Sequence, residues 1–302
     1  MKKIWFLALS TLGLISILIW FAIYSYSSDD LKVIACDVGQ GDAFIITRKE
    51  FQILIDGGPN DKVLACLADN MPFWDRVVDV VILSHPQKDH FAGLIDVFEN
   101  YDVKYFITSP FKSGSSEWRV LEEQVGGSGA RVINPTAGQL YRFGLICLDI
   151  LYPTEEFLVA NFENYSFVGK EGVLGAYTSK KDPNEFSVVL IISYKDFDAL
   201  FTGDIDPAIS DYVAEEINRE SFDGVEYVKV PHHGSKNGLS QSLLDAIKPR
   251  IAVIPVGKNN SYGHPHKEIV DMLQSTGVEI LRTDEQGEIV VETNGDKYWN
   301  KN

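Results

Sequence analysis

The chain has 302 residues, 45% of them hydrophobic and 12% aromatic, which excludes a disordered chain and allows one large domain or two small ones. Its formal net charge is -16; with Lys2 and Lys3 set aside, residues 29–302 carry 25 Lys and Arg against 43 Asp and Glu. Such a surface repels polyanions, which counts against a long nucleic-acid groove.

At the N-terminus "MKK" precedes "IWFLALSTLGLISILIWFAIY", Ile4 to Tyr24, a run of 21 residues without a charge. A bilayer core takes about 20 residues, whereas a secretory signal has an apolar region of roughly 7–15. The run therefore predicts an uncleaved membrane anchor over residues 1–28, with a cleaved signal as the alternative, ahead of a domain over residues 29–302. Lys2 and Lys3 before the run, and Asp29 and Asp30 after it, predict a single pass through the cell membrane. The N-terminus would lie in the cytoplasm and the domain on the outer side.

Beyond the anchor, apolar runs alternate with amphipathic ones. "LKVIACDV", "AFIITR", "FQILID", "VVDVVIL", "VKYFIT", "LICLDILY", "FSVVLIISY", "ALFTGD", "GVEYVKV", "RIAVIPV", "EILRT" and "EIVVET" read as strands. Helices are predicted at Lys62–Asn70, His90–Asn100, Glu117–Val125, Pro207–Glu220, Leu239–Ile247 and Pro265–Ser275. Interleaved in this way they predict a layered α/β domain. Residues 154–185 have no steady period and are expected to form a lid or substrate wall. Cys36, Cys66 and Cys147 include no CxxC pair; Cys36 and Cys147 are expected to be buried free thiols, with no disulfide framework.

All six histidines fall in three short clusters near strand ends: "SHPQKDH" (His85, His90), "KVPHHGS" (His232, His233) and "YGHPH" (His264, His266). Asp56 in "ILIDGG" and Asp204 in "ALFTGDI" close similar runs. Singly, each would be an ordinary turn or surface residue. Open sheets gather ligands beyond the carboxyl ends of their strands, so five such segments predict one shared site. Imidazole and carboxylate together suit one or two divalent ions, Zn or Mn, without sulfur.

"DVGQGDA", "LIDGG", "SHPQKDHFAGL", "FTGDI", "VPHHGS" and "YGHPH" stand in the order found in the metallo-β-lactamase-like domain of the ComEC family of competence proteins. The chain resembles that domain from about Leu31 to Thr293. The resemblance implies an αββα sandwich, here preceded by a single N-terminal transmembrane helix, and hydrolysis of a phosphodiester. It departs from the family in two places. One hydrophobic span cannot form a DNA channel, and the family's H-x-D-x-D-H reads His85-Pro86-Gln87-Lys88-Asp89-His90 here, so Gln87 offers a neutral oxygen and one metal position should be weaker.

Combined with the chemistry, the resemblance implies that His85, with Gln87 as partner, serves a first metal, and Asp89 and His90 a second. Asp204 would bridge, His232 would be the strand-end ligand, and His264 a ligand or transition-state donor. Asp89, His264 and His233 are the residues expected nearest the reaction, His233 either as a ligand or as a group that orients one. Asp56 is expected to orient an imidazole, and Asp42 sits in a glycine turn leaning toward the same edge. Ser235, Lys236 and Asn237 are candidate donors to a phosphate oxygen, or simply a turn and a helix cap. Asn184 and Ser187 stand where related enzymes place another histidine. The expected partners are a phosphodiester, single-stranded DNA included, and a lipid bilayer through the N-terminal helix; nothing marks a protein partner. Two rival readings are hydrolysis of a small or envelope-borne ester or phosphodiester, and a metal-binding module without turnover.

Overall fold

The computed structural model of the protein describes residues 2–26, 29–163, 165, 172–220 and 224–301. In chain order the strands are β1 (Leu31–Ala35), β2 (Phe44–Arg48), β3 (Phe51–Ile55), β4 (Val77–Leu83), β5 (Asp102–Thr108), β6 (Arg131–Ile133), β7 (Leu140–Phe143) and β8 (Ile146–Tyr152). They continue as β9 (Val189–Tyr194), β10 (Phe197–Phe201), β11 (Tyr227–Lys229), β12 (Ile251–Ile254), β13 (Glu279–Arg282), β14 (Ile289–Thr293) and β15 (Tyr298–Asn300). The helices are α1 (Lys2–Tyr26), α2 (Lys62–Asn70), α3 (Lys88–Asn100), α4 (Ser116–Ser128), α5 (Glu155–Asn161), α6 (Pro207–Glu220), α7 (Gln241–Ile247), α8 (Lys267–Ser275) and α9 (Thr283–Gln286).

Two sheets result, one of eight strands in the order β15-β14-β1-β2-β3-β4-β5-β6 and one of seven in the order β13-β12-β11-β10-β9-β8-β7. Alternate residues of a strand face opposite ways, and here both faces are covered. Val33, Phe44, Ile46, Ile53, Val80 and Ile82 of the first sheet meet Leu148, Ile150, Leu190, Ile192, Phe201 and Val253 of the second. On the outer face of the first sheet, Ile34, Ile45, Leu54, Val81 and Leu83 pack under Leu67 of α2, Phe91 and Leu94 of α3 and Trp118 of α4. The second sheet is covered by Ile209, Val213 and Ile217 of α6, Leu243 of α7 and Ile269 of α8. The layers are therefore helix, sheet, sheet, helix.

Helix starts differ from the sequence expectation where capping decides. The α3 helix opens at Lys88 because Gln87 is extended, which brings Asp89 into its first turn. Ser115 and Ser240 accept from Trp118 N and Leu243 N, fixing the starts of α4 and α7. β6, β7 and β15 escaped the sequence reading, being three or four residues long and only partly buried. Within the segment expected as a lid, Thr154 caps α5, and Asp182 caps a 3-10 turn over Pro183–Phe186. Leu158 and Phe162 of that segment pack with Phe111 and Phe186. Residues 164 and 166–171, on which part of the lid expectation falls, lie outside the described residues.

The expectation about cysteine is corrected. Cys36 and Cys66 form a disulfide, with Cα atoms 5.9 Å apart, while Cys147 is free and partly buried. Spacing alone does not reveal the pair, since 30 residues separate its members. They meet because Cys36, just after β1, and Cys66 of α2 belong to one apolar cluster on the outer face of the first sheet.

β1, β3, β4 and β5 run in one direction, with β2 antiparallel between the first two. β10, β11 and β12 are mutually parallel. Tyr194, at the turn into β10, donates its hydroxyl to the Asp29 carbonyl just before β1, so both sets start at one edge of the sandwich. Their carboxyl ends converge on the opposite edge.

Candidate metal centre

Asp56 follows β3 with φ at +59°, a conformation that Asp tolerates better than most residues. Its Oδ1 accepts from Ser84 N at 2.7 Å, and its Oδ2 accepts from Ser84 Oγ at 2.7 Å and faces His90 Nδ1 at 2.8 Å. Those contacts turn His90 Nε2 toward Asp204 Oδ2, 3.3 Å away. From the other sheet His233 Nε2 approaches Asp204 Oδ2 at 3.3 Å and Asp89 Oδ2 at 3.4 Å. Asp89, His90, Asp204 and His233 thus offer ligand atoms within 4.8 Å of one another.

The glycine loop "DVGQGDA" clamps this edge. Gly41 has φ at +145°, and a Cβ there would lie 2.2 Å from the Asp89 carbonyl, so only glycine lets the loop reach α3. Asp42 N donates to that carbonyl. The Asp42 carboxylate then sits 3.7 Å from His90 Nδ1 and 3.1 Å from His233 Nδ1, although His233 Nδ1 gives its hydrogen bond to Pro255 O at 2.9 Å.

Lys229, which the sequence reading passed over, completes the group. It is 1% exposed, and its ammonium contacts Asp42 Oδ2 at 2.6 Å and Asp204 Oδ1 at 2.9 Å and donates to the Gly203 carbonyl. The signal was available in "VEYVKVP", where a lysine interrupts a β-branched run just before the histidine pair. A strand lysine buried on both faces must be paired.

These charges set the protonation of the site. Burial disfavours the charged form of every member. For His90 it is outweighed by Asp204, Asp56, Asp42 and Asp89, which push its pKa well above the ordinary imidazole range. His233 is pushed up to about 10 against the same burial, by Asp204 and Asp42. Burial is outweighed at Asp204 and Asp42 as well, chiefly by Lys229, and both are held below the usual carboxylate range. Burial wins at Asp56, which is raised. It also wins at His85, lowered to about 3 by burial and His90, and at His264, lowered to about 4 by burial and His233.

The remaining candidates lie at graded distances. The His85 ring is 4.1 Å from that of His90, and Ser84 Oγ is 3.0 Å from its Nδ1. The structure does not bring His232 or His264 into the four-residue group; their rings are 5.8 Å apart beside it. The chain turns sharply at "PHH", with His232 and His233 both at positive φ, so adjacent side chains diverge and His233 takes the inner place expected of His232. Gln87 is also outside: its amide donates to Asp182 at 3.4 Å. Ser187 Oγ accepts from Asp204 N, and Asn184 Oδ1 is buried without a hydrogen-bond partner among the described residues. Ser235 Oγ accepts from Asn237 N and Lys236 N donates to His266 Nδ1, while the following helix is capped by Ser240.

The donor set fits a divalent cation. Nε2 of His85, His90 and His233 are all buried without a hydrogen-bond partner among the described residues, an uncommon arrangement in a folded chain. Two carboxylates stand beside them. An ion held there would supply a Lewis acid and an acidified water. Asp56 and Ser84 orient His90, Pro255 O orients His233, and Lys229 neutralises the face of Asp204 turned from the imidazoles.

Comparison with known proteins agrees with this fold. Over the chain, 24% identity across 88% of its length relates it to ComE operon protein 3 of Bacillus subtilis (strain 168), 34% of which is covered. Recombination protein 2 of Haemophilus influenzae is 25% identical over 86% of the chain and 28% of its own length. Competence protein ComA of Neisseria gonorrhoeae is 25% identical over 86% of the chain and 32% of its own length. The chain therefore spans about a third of the relatives it matches. Among solved structures, the metallo-beta-lactamase fold protein YhfI of Bacillus subtilis superposes with a TM-score of 0.55 at 11% identity, covering 87% of this chain and all of that one. CmlA, a diiron β-hydroxylase of Streptomyces venezuelae, gives 0.52 at 15% identity over 88% of this chain and 54% of its own. The family model for the metallo-beta-lactamase superfamily matches residues 36–258, and the chain belongs to that superfamily.

Proposed function

We propose that the protein is a membrane-anchored, metal-dependent phosphodiesterase whose domain lies on the outer side of the cell membrane, with DNA as its substrate. The observation that carries the reading is the largely buried group Asp89, His90, Asp204 and His233, whose imidazole Nε2 atoms make no hydrogen bond among the described residues. A water made acidic by Zn or Mn would be the nucleophile, and phosphodiesters suit it because their oxygens bear the charge a metal ion stabilises. The competence and recombination names of the relatives favour DNA. The anchor is supported by α1, which has a mean hydropathy of 2.2 over Lys3–Phe21 and is long enough to cross a bilayer. The outward side is supported by Lys2 and Lys3 at the start of the helix and by the Cys36–Cys66 disulfide, a bond that persists in oxidising compartments.

The acidic excess of residues 29–302 favours a second reading, a small envelope-borne phosphodiester. The full chain in detergent, offered bis(p-nitrophenyl) phosphate, single-stranded DNA and duplex DNA, separates the two. Hydrolysis should stop on chelation and return with Mn or Zn. A rate indifferent to chelation would end the metal reading, and turnover of the small ester without DNA cleavage would favour the second substrate class.

A further inference from the structure

The edge opposite the metal centre carries exposed apolar side chains where the chain enters the domain. Phe73 and Trp74, in the turn leading into β4, are 84% and 52% exposed, with rings packed edge to face 4.8 Å apart. Leu145, in the turn between β7 and β8, is 51% exposed. Its neighbour Ile146 pairs with Tyr194, whose hydroxyl holds Asp29, so Leu145 belongs to the same edge of the second sheet. Trp74 is about three strand spacings from β1, roughly 15 Å.

Chain length connects this edge to the apolar helix. Four residues separate Tyr26, the last of α1, from Leu31, the first of β1, and those five steps span at most about 18 Å. If α1 crosses a bilayer, the edge starting at Leu31 cannot stand farther than that from the end of the helix. Aromatic side chains concentrate at this depth, where an apolar ring meets the wet headgroups. The charges nearby are mixed, with Lys49, Arg76 and Lys195 interspersed with Glu50, Asp75 and Asp196. Attachment there would rest on the rings, not on anionic lipid.

We infer that this edge sits on the bilayer, with Phe73 and Trp74 seated in the headgroup region and the metal centre held on the far side of the sandwich. The inference rests on the anchored reading of α1. From Val77 to His85 the chain rises eight residues, about 26 Å, so the site opens away from the lipid surface. Such a site meets phosphodiesters arriving from the aqueous side, and a lipid-linked ester still embedded in the same membrane would not reach it.

The test uses the full chain reconstituted in phosphatidylcholine vesicles with brominated acyl chains, which quench nearby tryptophan. The chain has five tryptophans, and Trp5 and Trp20 within α1 report insertion of the helix. Trp299 pairs with Glu292, which pairs with Lys32, so it lies at the same edge and is removed as well; in a Trp5→Phe, Trp20→Phe, Trp299→Phe background, Trp74 and the fully buried Trp118 remain. We expect about half of the remaining emission to be quenched, and Trp74→Phe to abolish that quenching. Quenching in the parent but none in the background, or quenching that survives Trp74→Phe, overturns the docking and leaves the anchor standing; an edge that pairs two copies of the chain gives the same result. No quenching in the parent overturns both.

Discussion

Lys229 Nζ lies 2.9 Å from Asp204 Oδ1, and neither side chain reaches solvent. The ammonium is a fixed cation inside a group rich in carboxylates, and it contacts Asp42 as well. Removing one partner of a buried ion pair costs about 3–5 kcal/mol, because the other charge is left uncompensated. Lys229→Met should therefore lower the thermal midpoint of the chelated protein sharply. Added Mn or Zn should recover more of that loss than it adds to the parent, since the freed carboxylates attract the ion. Thermal unfolding with and without metal decides it; equal metal responses in the two proteins would show that Lys229 does not share its carboxylates with the ion site.

The disulfide makes a separate prediction. A cross-link closing a loop of about 30 residues contributes roughly 2–4 kcal/mol. Cys36→Ser with Cys66→Ser should lower the midpoint by roughly 5–15 °C. Cys36 N also donates to Ala43 O, beside Asp42, so the glycine loop should loosen and metal affinity fall with stability. Alkylation of the unfolded, unreduced chain should label only Cys147. Labelling of all three thiols would remove the disulfide, and with it one support for the outward orientation.

Much of the fold was legible because the relevant signals are local. Strand runs such as "VVDVVIL" are apolar on both faces, and a run of that kind has few places to go except between two layers. Asp56, at the carboxyl end of its strand, was expected to orient an imidazole; the one it faces is that of His90, in the first turn of α3. What escaped depends on directions that a sequence does not carry. Which histidine of "PHH" points inward is decided by two successive left-handed residues. The Cys36–Cys66 bond depends on α2 packing in the same apolar cluster as the end of β1, and Gln87, extended just before α3, directs its amide to Asp182. Lys229 is a different case, since its burial was readable from its apolar neighbours and was overlooked.

The histidines set opposite pH limits on the metal-free protein. His233 is raised from 6.5 to about 10, so its contribution to stability is complete below 6.5 and is lost as pH climbs toward 10. His85 is lowered to about 3, so its contribution is present above 6.5 and is lost as pH falls from 6.5 toward 3. The chelated protein should therefore lose stability on both sides of neutrality. Ligand imidazoles must be neutral, so metal binding should release protons and tighten with rising pH. Metal titration in weak buffer, read with a pH indicator, measures the release; no release would mean that His90 and His233 are already neutral.

Asp89 and Asp204 face the same two imidazoles from different environments, which allows binding to be separated from folding. Asp204 is buried and paired with Lys229, whereas the Asp89 side chain is about one third exposed and sits in the first turn of α3. Asp204→Asn removes half of a buried ion pair, so the chelated protein should lose about 3–5 kcal/mol along with its metal. Asp89→Asn forfeits a carboxylate at a helix N-terminus, worth about 0.3–1 kcal/mol, and should leave the fold nearly as stable. Both should lower metal affinity and turnover by at least about 10–100-fold. Metal analysis beside chelated thermal midpoints tests the division. An Asp89→Asn protein that binds metal like the parent would place the ion elsewhere, at Asp42, Asp56 and His90, where three further ligand atoms also converge.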